Sequence, residues 1–301
     1  MNNKVPKVSI VIPVFNGANY LTSAIESALE QTYEDKEIIV VDDGSVDDDA
    51  TKEIAKSYGD KIRYYLKENG GTSSALNFGI KNMNGEYFSW LSHDDVYYPK
   101  KIEMQINSLI NNVNPYSISG CSYEFINEES KTVVSNIKMS KYNNSIYLKI
   151  LSSSINGCSL LIPLICFEKF GMFDENNKTV HDTELWLRFA KCGIPFSFLP
   201  NILVQSRLHT KQQTHYLGSI HEEELNEFFL WAIDYLGEDC LVIKKELIKI
   251  ILRKGAFKAY AKLILNFRDK KLIPFFVYHI YLKILIFVIK SKNYIVKLLK
   301  V

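Results

Sequence analysis

Two pairs of adjacent acidic residues each stand at the end of a run of strand-forming residues. Asp42 and Asp43 follow a run of isoleucine and valine, and Asp94 and Asp95 follow a run of aromatic and apolar residues. In an open α/β sheet, ligands bind just beyond the carboxyl ends of the strands. If both runs belong to one sheet, four carboxylates converge on one crevice. Because like charges at short distance repel, a divalent metal that also holds a phosphorylated ligand is the simplest arrangement that stabilises them.

Each acidic pair also fits a second interpretation when taken alone. After Asp43, Gly44 allows a tight turn, and carboxylates there can accept hydrogen bonds from a ribose or a base. Aspartate and serine equally form Asx turns and helix caps. Asp94 and Asp95 suit Mg²⁺ or Mn²⁺, which prefer oxygen ligands. A receiver domain of a signalling protein also places acids after early parallel strands, so a phosphoacceptor role stays open at this point.

Two further clusters carry polar side chains that could do chemistry. Asp182 stands where a helix is predicted to begin, so it could cap that helix or act as a general base toward a substrate hydroxyl. A capping box that starts at Asp182 would need a glutamate or glutamine at position 185, where this chain has leucine. Arg207 and His209 alternate in an extended segment and therefore face the same side. The arginine could pair with a diphosphate, and the histidine could complete a metal site, although a lone histidine is more often structural.

The elements that must position these residues alternate between strand and helix. Such alternation predicts right-handed βαβ units and a mainly parallel sheet, which is an α/β fold. The predicted strands are 8–15, 37–41, 62–66, 87–91, 117–125 and 131–139. The predicted helices are 20–29, 50–57, 73–83, 100–112 and 183–191, with an apolar run and a short helix over 159–170 and mostly helix from 219 onward.

Charge divides the chain into two parts. The net charge of the 301 residues is +2, but residues 241–301 alone carry +13 and the rest −11. We therefore predict a catalytic domain over 1–215 and a basic helical extension over 216–301. This asymmetry favours contact with an anionic membrane surface over a merely solvated basic helix, and no nucleic acid partner is expected.

The segment 272–289 is the longest apolar stretch of the extension. Pro274, His279 and Lys283 interrupt it, so it does not resemble a membrane-spanning helix. An amphipathic helix lying in the membrane interface fits it better, and a helix packed on the catalytic domain is the alternative.

Cysteine usage and the N-terminus predict the compartment. Five cysteines without a C-x-x-C spacing are typical of small buried side chains in a reducing compartment. The first apolar run is too short for a signal peptide and contains Pro13. We expect a cytoplasmic protein, attached peripherally to the inner face of the cell membrane.

Taken together, the motifs resemble those of family 2 glycosyltransferases in order and spacing, from residue 8 to about residue 210. The matching stretches are VSIVIPVFN at 8–16, VDDGS at 41–45, NGG at 69–71, NGEY at 84–87 leading to Asp94 and Asp95, FGMFDE at 170–175 and HDTELW at 181–186.

The resemblance implies a GT-A fold, which is a Rossmann-like, mainly parallel mixed sheet flanked by helices. It also implies a nucleotide-sugar donor, usually a UDP-sugar, inversion at the anomeric carbon, and a divalent metal, Mn²⁺ or Mg²⁺. Carried onto this chain, it assigns the following roles. The nucleotide would be bound by Pro13 and Phe15 lining the base pocket, Asp43 accepting from the uracil N–H, Asp42 supporting the turn, and Asn77. The metal would be bound by Asp94, Asp95 and His209, the diphosphate by Arg207, and Asp182 would be the catalytic base.

Two positions depart from the family pattern. Ser92 stands where the first acid of a DxD motif is usual, so metal affinity would rest on Asp94, Asp95 and His209. Leu76 stands where many relatives carry arginine, which leaves open which residue of that helix contacts the phosphates.

The expected function is sugar transfer to a saccharide or lipid-linked acceptor in bacterial cell-surface polysaccharide biosynthesis. The acceptor could be a lipid-linked oligosaccharide or a polyprenyl phosphate. A sugar-nucleotide-binding protein without transfer activity is the alternative, since Ser92 could weaken the metal site. A phosphoacceptor domain ranks behind both, because it leaves the motifs beyond residue 90 unexplained.

Overall fold

The computed structural model describes residues 5–110, 112–137, 145–152, 155–210, 218–256, 258–260 and 262–263. The chain forms two compact units, Met1–His221 and Glu222–Val301. The predicted domain boundary at 215/216 and the apolar segment 272–289 lie outside the described residues.

Within the described residues, nine strands, nine α-helices and two short 3-10 helices (Gly59–Lys61 and Gly157–Ser159) are assigned, and 258–260 and 262–263 are also helical. The strands are β1 (Val8–Val14), β2 (Lys36–Asp42), β3 (Arg63–Leu66), β4 (Tyr87–Trp90), β5 (Val96–Tyr97), β6 (Ile118–Ile126), β7 (Thr132–Ile137), β8 (Leu160–Pro163) and β9 (Phe196–Arg207). The helices are α1 (Leu21–Leu29), α2 (Ala50–Ser57), α3 (Thr72–Asn82), α4 (Lys101–Leu109), α5 (Ile146–Leu151), α6 (Leu164–Phe170), α7 (His181–Lys191), α8 (Gly218–Leu236) and α9 (Asp239–Arg253).

The strands form one mixed sheet in the order β3-β2-β1-β4-β8-β6-β9-β5, with β7 paired to β6. β1 runs parallel to β2 and β4, and β2 runs parallel to β3. β8 is antiparallel to β4 and β6, whereas β9 is parallel to β6. The predicted α/β fold with a mixed, largely parallel sheet is confirmed, and the parallel half contains the strands that precede both acidic pairs.

Complete burial explains why the first strands read as continuous apolar runs. All seven residues of β1 are buried, as expected for a central parallel strand covered by helices on both faces. On α3, Gly79 lies against Val11 so closely that a Cβ atom there would run into the valine side chain. Glycine at this position therefore lets the helix approach the strand.

The second unit contains most of α8 and all of α9. Both helices bury apolar side chains on one face, as amphipathic helices do. The buried residues include Leu225, Phe228, Phe229 and Ile233 on α8 and Ile243, Leu247, Ile250 and Ile251 on α9. In the described part of the chain, we find no helix with the length and hydropathy needed to span a membrane.

Candidate active site

Three loops meet at the carboxyl edge of the parallel strands. They follow β1, β2 and β4, which lie side by side and run in the same direction. The amide of Asp43 donates to the carbonyl of Val14 (2.8 Å), which joins the first two loops. The ring of His93 packs onto Gly17, where a Cβ atom would lie 2.5 Å from the His93 Cδ2 atom. This contact joins the loops after β1 and β4.

Asp42 holds the turn that follows β2. Its carboxylate is buried and accepts hydrogen bonds from the Ser45 amide (2.9 Å) and the Tyr64 hydroxyl (2.8 Å). Gly44 adopts a φ of +75°, a conformation that favours glycine. The arrangement gives Asp42 a supporting position beneath the turn.

Asp43 is bound by the loop that follows β3. It is only 3% exposed. Its carboxylate accepts from the Lys67 ammonium (2.7 Å) and from the amides of Gly70 (3.0 Å) and Gly71 (2.7 Å). The Asn69 side chain donates to the Asp43 carbonyl (2.8 Å). Sequence reasoning missed Lys67, although a cation directly after a strand and before Asn-Gly-Gly is a usable signal.

Phe15 and Pro13 occupy different environments. Phe15 is the first residue beyond β1 and is 45% exposed, so its ring is available to stack on a planar ligand. Asn16 ties this loop to the Asp42 turn, because its amide donates to the Ser45 hydroxyl (2.8 Å) and its side chain accepts from the Val46 amide (2.8 Å). Pro13 is buried inside the strand, paired with Val41.

Asn77 joins two parts of the protein. Its amide nitrogen donates to the Phe173 carbonyl (2.9 Å) and the Glu175 carboxylate (2.9 Å), and its oxygen accepts from the Phe173 amide (3.1 Å). The side chain is buried. These bonds connect α3 to the segment that leads into α7 and favour a structural role for Asn77 over the predicted nucleotide contact, which stays a prediction.

Asp94 and His209 lie in direct contact. The His209 Nε2 atom is 2.9 Å from the Asp94 Oδ2 atom. Burial alone would raise the pKa of Asp94, but the hydrogen bond with His209 and the two nearby imidazoles bring this pKa below its usual value. The His209 ring also packs against Tyr20, with ring centroids 5.3 Å apart. The structure thus brings these two predicted ligands together.

Asp95 faces the protein interior. It is 4% exposed, and its carboxylate accepts from the Arg207 amide (2.9 Å). Burial, together with the adjacent Asp94 charge, raises the pKa of Asp95 to about 8. The hydrogen bond from the Arg207 amide braces the loop and favours a supporting role for Asp95 over the predicted metal ligation, which stays a prediction.

Arg207 is also committed to the protein. Its guanidinium is buried and packs over the Tyr20 ring, 4.5 Å from the ring centroid. It donates to the carbonyls of Asp94 (3.0 Å), Asn127 (3.0 Å) and Glu128 (3.2 Å) and to the Ser130 hydroxyl (3.0 Å). These contacts show that Arg207 holds the backbone of the Asp94 loop and favour this role over the predicted diphosphate contact, which stays a prediction.

Asp182 is the second residue of α7 and not its cap. The N-cap is Val180, without a side-chain cap hydrogen bond. The Asp182 Oδ1 atom accepts from the amide (2.6 Å) and hydroxyl (3.0 Å) of Thr183. Burial raises the pKa of the Tyr123 hydroxyl to about 12, with further contributions from the charges of Asp182 and Asp95. The preceding residue, His181, packs against Trp90 at the end of β4, with ring centroids 5.8 Å apart, so α7 begins beside the strand that leads to Asp94.

Asp94 and His209 fit a metal ion whose remaining ligands come from a diphosphate and water. In the part of the chain that the structure describes, we find no group of three or more His, Cys, Asp or Glu side chains that could hold a metal ion alone. Asp94 and His209 supply one carboxylate and one imidazole. Mn²⁺ accepts both ligand types, and Mg²⁺ and Mn²⁺ commonly complete their coordination with substrate phosphates and water.

Comparison with known proteins places the chain in a family. Residues 9–171 match the family model described as Glycosyl transferase family 2. A protein of Rickettsia typhi, described as an uncharacterized glycosyltransferase, is 47% identical over 285 residues, which cover 90% of this chain and 88% of that protein. The chain belongs to glycosyltransferase family 2. A second glycosyltransferase, from Rickettsia felis, is 48% identical over 83% of this chain, but the match spans only 41% of that longer protein.

Solved structures agree with this placement at the level of the fold. The family 2 chain resembles S. aureus TarS 1-349 in complex with UDP-GlcNAc, with a TM-score of 0.58, 15% identity and 88% of each chain covered. It also resembles the mannosyltransferase PcManGT of Pyrobaculum calidifontis in complex with GDP-Man and Mn²⁺, with a TM-score of 0.57, 16% identity and coverage of 89% and 76%. The predicted family and the GT-A type of fold are thus confirmed, and the phosphoacceptor interpretation is set aside.

Proposed function

We propose that this glycosyltransferase moves a sugar from a UDP-sugar to an acceptor hydroxyl with inversion and with the help of Mn²⁺ or Mg²⁺. The observation that carries the proposal is the meeting of three groups at one sheet edge. A buried acid paired with a partly exposed lysine follows β2 and β3, an exposed aromatic follows β1, and the Asp94–His209 pair follows β4 and β9.

The base would lie between Phe15 and the Asp43–Lys67 pair. Asp43 accepts hydrogen bonds and Lys67 donates them, so the pair complements a ring edge that carries an N–H beside a carbonyl. Uracil and guanine both have such an edge, whereas cytosine and adenine present the reverse order. The proteins that share this fold were solved with UDP-GlcNAc and GDP-Man, whose bases belong to the first group. We place uracil first because of the family resemblance.

The diphosphate would lie next to Asp94 and His209. A metal held there would act as a Lewis acid and balance the charge of the departing nucleoside diphosphate. The chain itself holds these ligands in position: Arg207 donates to the Asp94 carbonyl, and Asp95 accepts from the Arg207 amide. We infer that these two buried residues act as positioning residues for the site.

Asp182 would act as the base. Its carboxylate removes the proton of the acceptor hydroxyl while that oxygen attacks the anomeric carbon. The new bond joins the acceptor oxygen to the anomeric carbon, and the bond between that carbon and the diphosphate oxygen breaks. Attack from the face opposite the diphosphate inverts the configuration.

The family resemblance supports the proposed acceptor, and the charge distribution supports the proposed cellular setting. We propose a saccharide or lipid-linked acceptor of cell-surface polysaccharide biosynthesis, reached on the cytoplasmic face of the membrane. The supporting observation is the +13 charge of residues 241–301 against −11 for the rest of the chain.

One assay tests the proposal directly. The purified chain is incubated with UDP-, GDP- and dTDP-sugars, with and without Mn²⁺, and both transfer and slow donor hydrolysis are measured. We expect metal-stimulated turnover of a UDP-sugar. Binding of the donor without transfer or hydrolysis would instead favour the non-catalytic sugar-nucleotide-binding protein, and failure to bind UDP at saturating Mn²⁺ would overturn both.

A further inference from the structure

Helix α9 presents an outer face that combines basic and apolar side chains. Val242 is 87% exposed and Leu252 37%, and Lys245, Lys249 and Arg253 are also exposed. The face consists of Val242, Lys245, Lys249, Leu252 and Arg253. At 100° per residue, these positions fall within an arc of about 100°.

The opposite side of the same helix holds it to its own unit. Ile243, Leu247, Ile250 and Ile251 are buried there. The outer face is therefore not needed to fill the core, and its side chains can be changed without opening a cavity. Within α9 the acids are Asp239 and Glu246, and Glu246 pairs with Lys249 at 2.9 Å. Four Lys and Arg residues in the helix leave it net basic.

Helix α8, in large part in the same unit, carries the opposite charge. Its sequence contains five Asp and Glu residues and neither Lys nor Arg. Four of these acids are exposed: Glu222, Glu223, Glu227 and Asp234. An anionic surface would therefore attract α9 and repel α8. Charge complementarity therefore favours α9 over α8 as the helix that contacts such a surface.

We propose that the outer face of α9 docks on the anionic lipid surface of a membrane. The cationic side chains would contact headgroup phosphates, and Val242 and Leu252 would enter the boundary between headgroups and acyl chains. A nucleic acid would use the same cations but would gain nothing from exposed Val242 and Leu252. The inference rests on the membrane setting proposed above and names the surface that makes the contact. Its test needs no sugar donor, so its failure would leave the proposed transfer reaction standing.

Sedimentation with lipid vesicles tests this surface on the full chain. The vesicles are phosphatidylcholine alone or with about 30% phosphatidylglycerol, which gives the negative surface that attracts basic segments. We expect binding to the anionic vesicles only, weakened by salt. The triple variant Lys245→Gln/Lys249→Gln/Arg253→Gln should bind about 100-fold more weakly, since each basic residue near the surface contributes about fivefold. Val242→Ser should weaken binding about tenfold, because one apolar side chain no longer enters the interface.

A matched control separates a local surface from general charge. Lys56, Lys61 and Lys131 are exposed on the first unit, and changing all three to glutamine removes the same charge. This control should keep vesicle binding, and circular dichroism should show all variants folded. The proposal would be overturned if the α9 triple variant bound anionic vesicles as well as wild type does. It would also be overturned if the control variant lost as much binding as the α9 triple variant. A wild-type protein that binds duplex DNA but not anionic vesicles would also overturn it.

Discussion

At the scale of single residues, surroundings divide the acids of the site into two groups. Asp42 and Asp95 are buried and accept hydrogen bonds from the backbone amides of Ser45 and Arg207, so they hold the backbone. Asp94 contacts an imidazole, and Asp182 is partly exposed at the first turn of a helix. Of these four acids, Asp94 and Asp182 are the two that are less deeply buried.

Asp182→Asn should separate catalysis from binding. The amide oxygen can still accept from the Thr183 amide, but the side chain no longer takes up a proton. We expect turnover to fall about 10²- to 10⁴-fold, with the dissociation constant for UDP and the melting temperature unchanged. Steady-state kinetics and calorimetry measure these quantities. Turnover close to wild type would remove Asp182 from the catalytic role.

Lys67→Met tests the base contact. The change removes the donor of the proposed acid–lysine pair, while Asp43 keeps the amides of Gly70 and Gly71. Because hydrogen bonds to charged groups contribute about 1.5–3 kcal/mol, UDP should bind to the variant about ten- to a hundredfold more weakly. The affinity for CDP should be the same as that of wild type. The control is Lys61→Met, which changes an exposed lysine that precedes β3. Unchanged UDP affinity would show that the Lys67 ammonium only neutralises Asp43.

Asp94→Ala tests the metal site. Removing the carboxylate should abolish the increase in UDP affinity that Mn²⁺ produces, while metal-independent UDP binding persists through the base pocket. Titration calorimetry with and without Mn²⁺ measures both. Asp95→Asn is the matched control, since its amide oxygen can still accept from the Arg207 amide, and it should keep the Mn²⁺ effect. The assignment of Asp94 fails if its variant responds to Mn²⁺ as wild type does.

At the scale of elements, close approach of backbone segments shapes the site. Gly17 admits the His93 ring between the loops after β1 and β4, and Gly79 lets α3 lie against β1. The start of α3 follows the amides that bind Asp43. The position of α3 is therefore coupled to the geometry of the proposed base site at Asp43.

Gly79→Ala should lower the stability of the first unit. The added Cβ atom meets Val11 on a fully buried strand, so either the helix or the strand must shift. Overpacking of this kind costs about 1–3 kcal/mol of the free energy of unfolding. Urea denaturation measures it, with Ser74→Ala on the same helix as a control that should stay within about 0.5 kcal/mol of wild type. An unchanged free energy of unfolding would mean that the contact relaxes freely.

At the scale of the whole molecule, charge is distributed unevenly both on the surface and in the core. The second unit separates an acidic helix from a basic one. In the first unit, Lys101 is fully buried, where its ammonium donates to the Ser89 hydroxyl (3.0 Å) and lies 4.1 Å from the centre of the Tyr97 ring. Burial lowers the pKa of Lys101 to about 8.

This buried cation predicts a pH dependence of stability. Between about pH 8 and pH 10.5 the unfolded chain binds the Lys101 proton and the folded protein releases it, so the Lys101 contribution to the free energy of unfolding rises with pH in this window. Lys101→Met removes the buried charge. The variant should be about 1–2 kcal/mol more stable than wild type at pH 7, after allowing for the lost hydrogen bonds, and this advantage should shrink by pH 10. Urea denaturation at both pH values measures it; a less stable variant at pH 7 would show that the ring and hydroxyl contacts outweigh burial.

The sequence by itself determined the family, the alternation of strands and helices, and the position of Asp42, Asp43 and Asp94 at strand ends. These features depend on local hydrophobic patterns and short motifs, which are readable within a few residues. The order of the parallel strands then places those acids at one edge.

Only the tertiary structure showed which of these polar side chains have partners inside the protein. Asn77, Asp95 and Arg207 look like site residues in the sequence, but each hydrogen-bonds to a residue about a hundred positions away. Lys67 entered the site because β3 lies beside β2 and carries it to Asp43. A polar group is stabilised either by its own protein or by a ligand, and that choice depends on distant partners that no local pattern records.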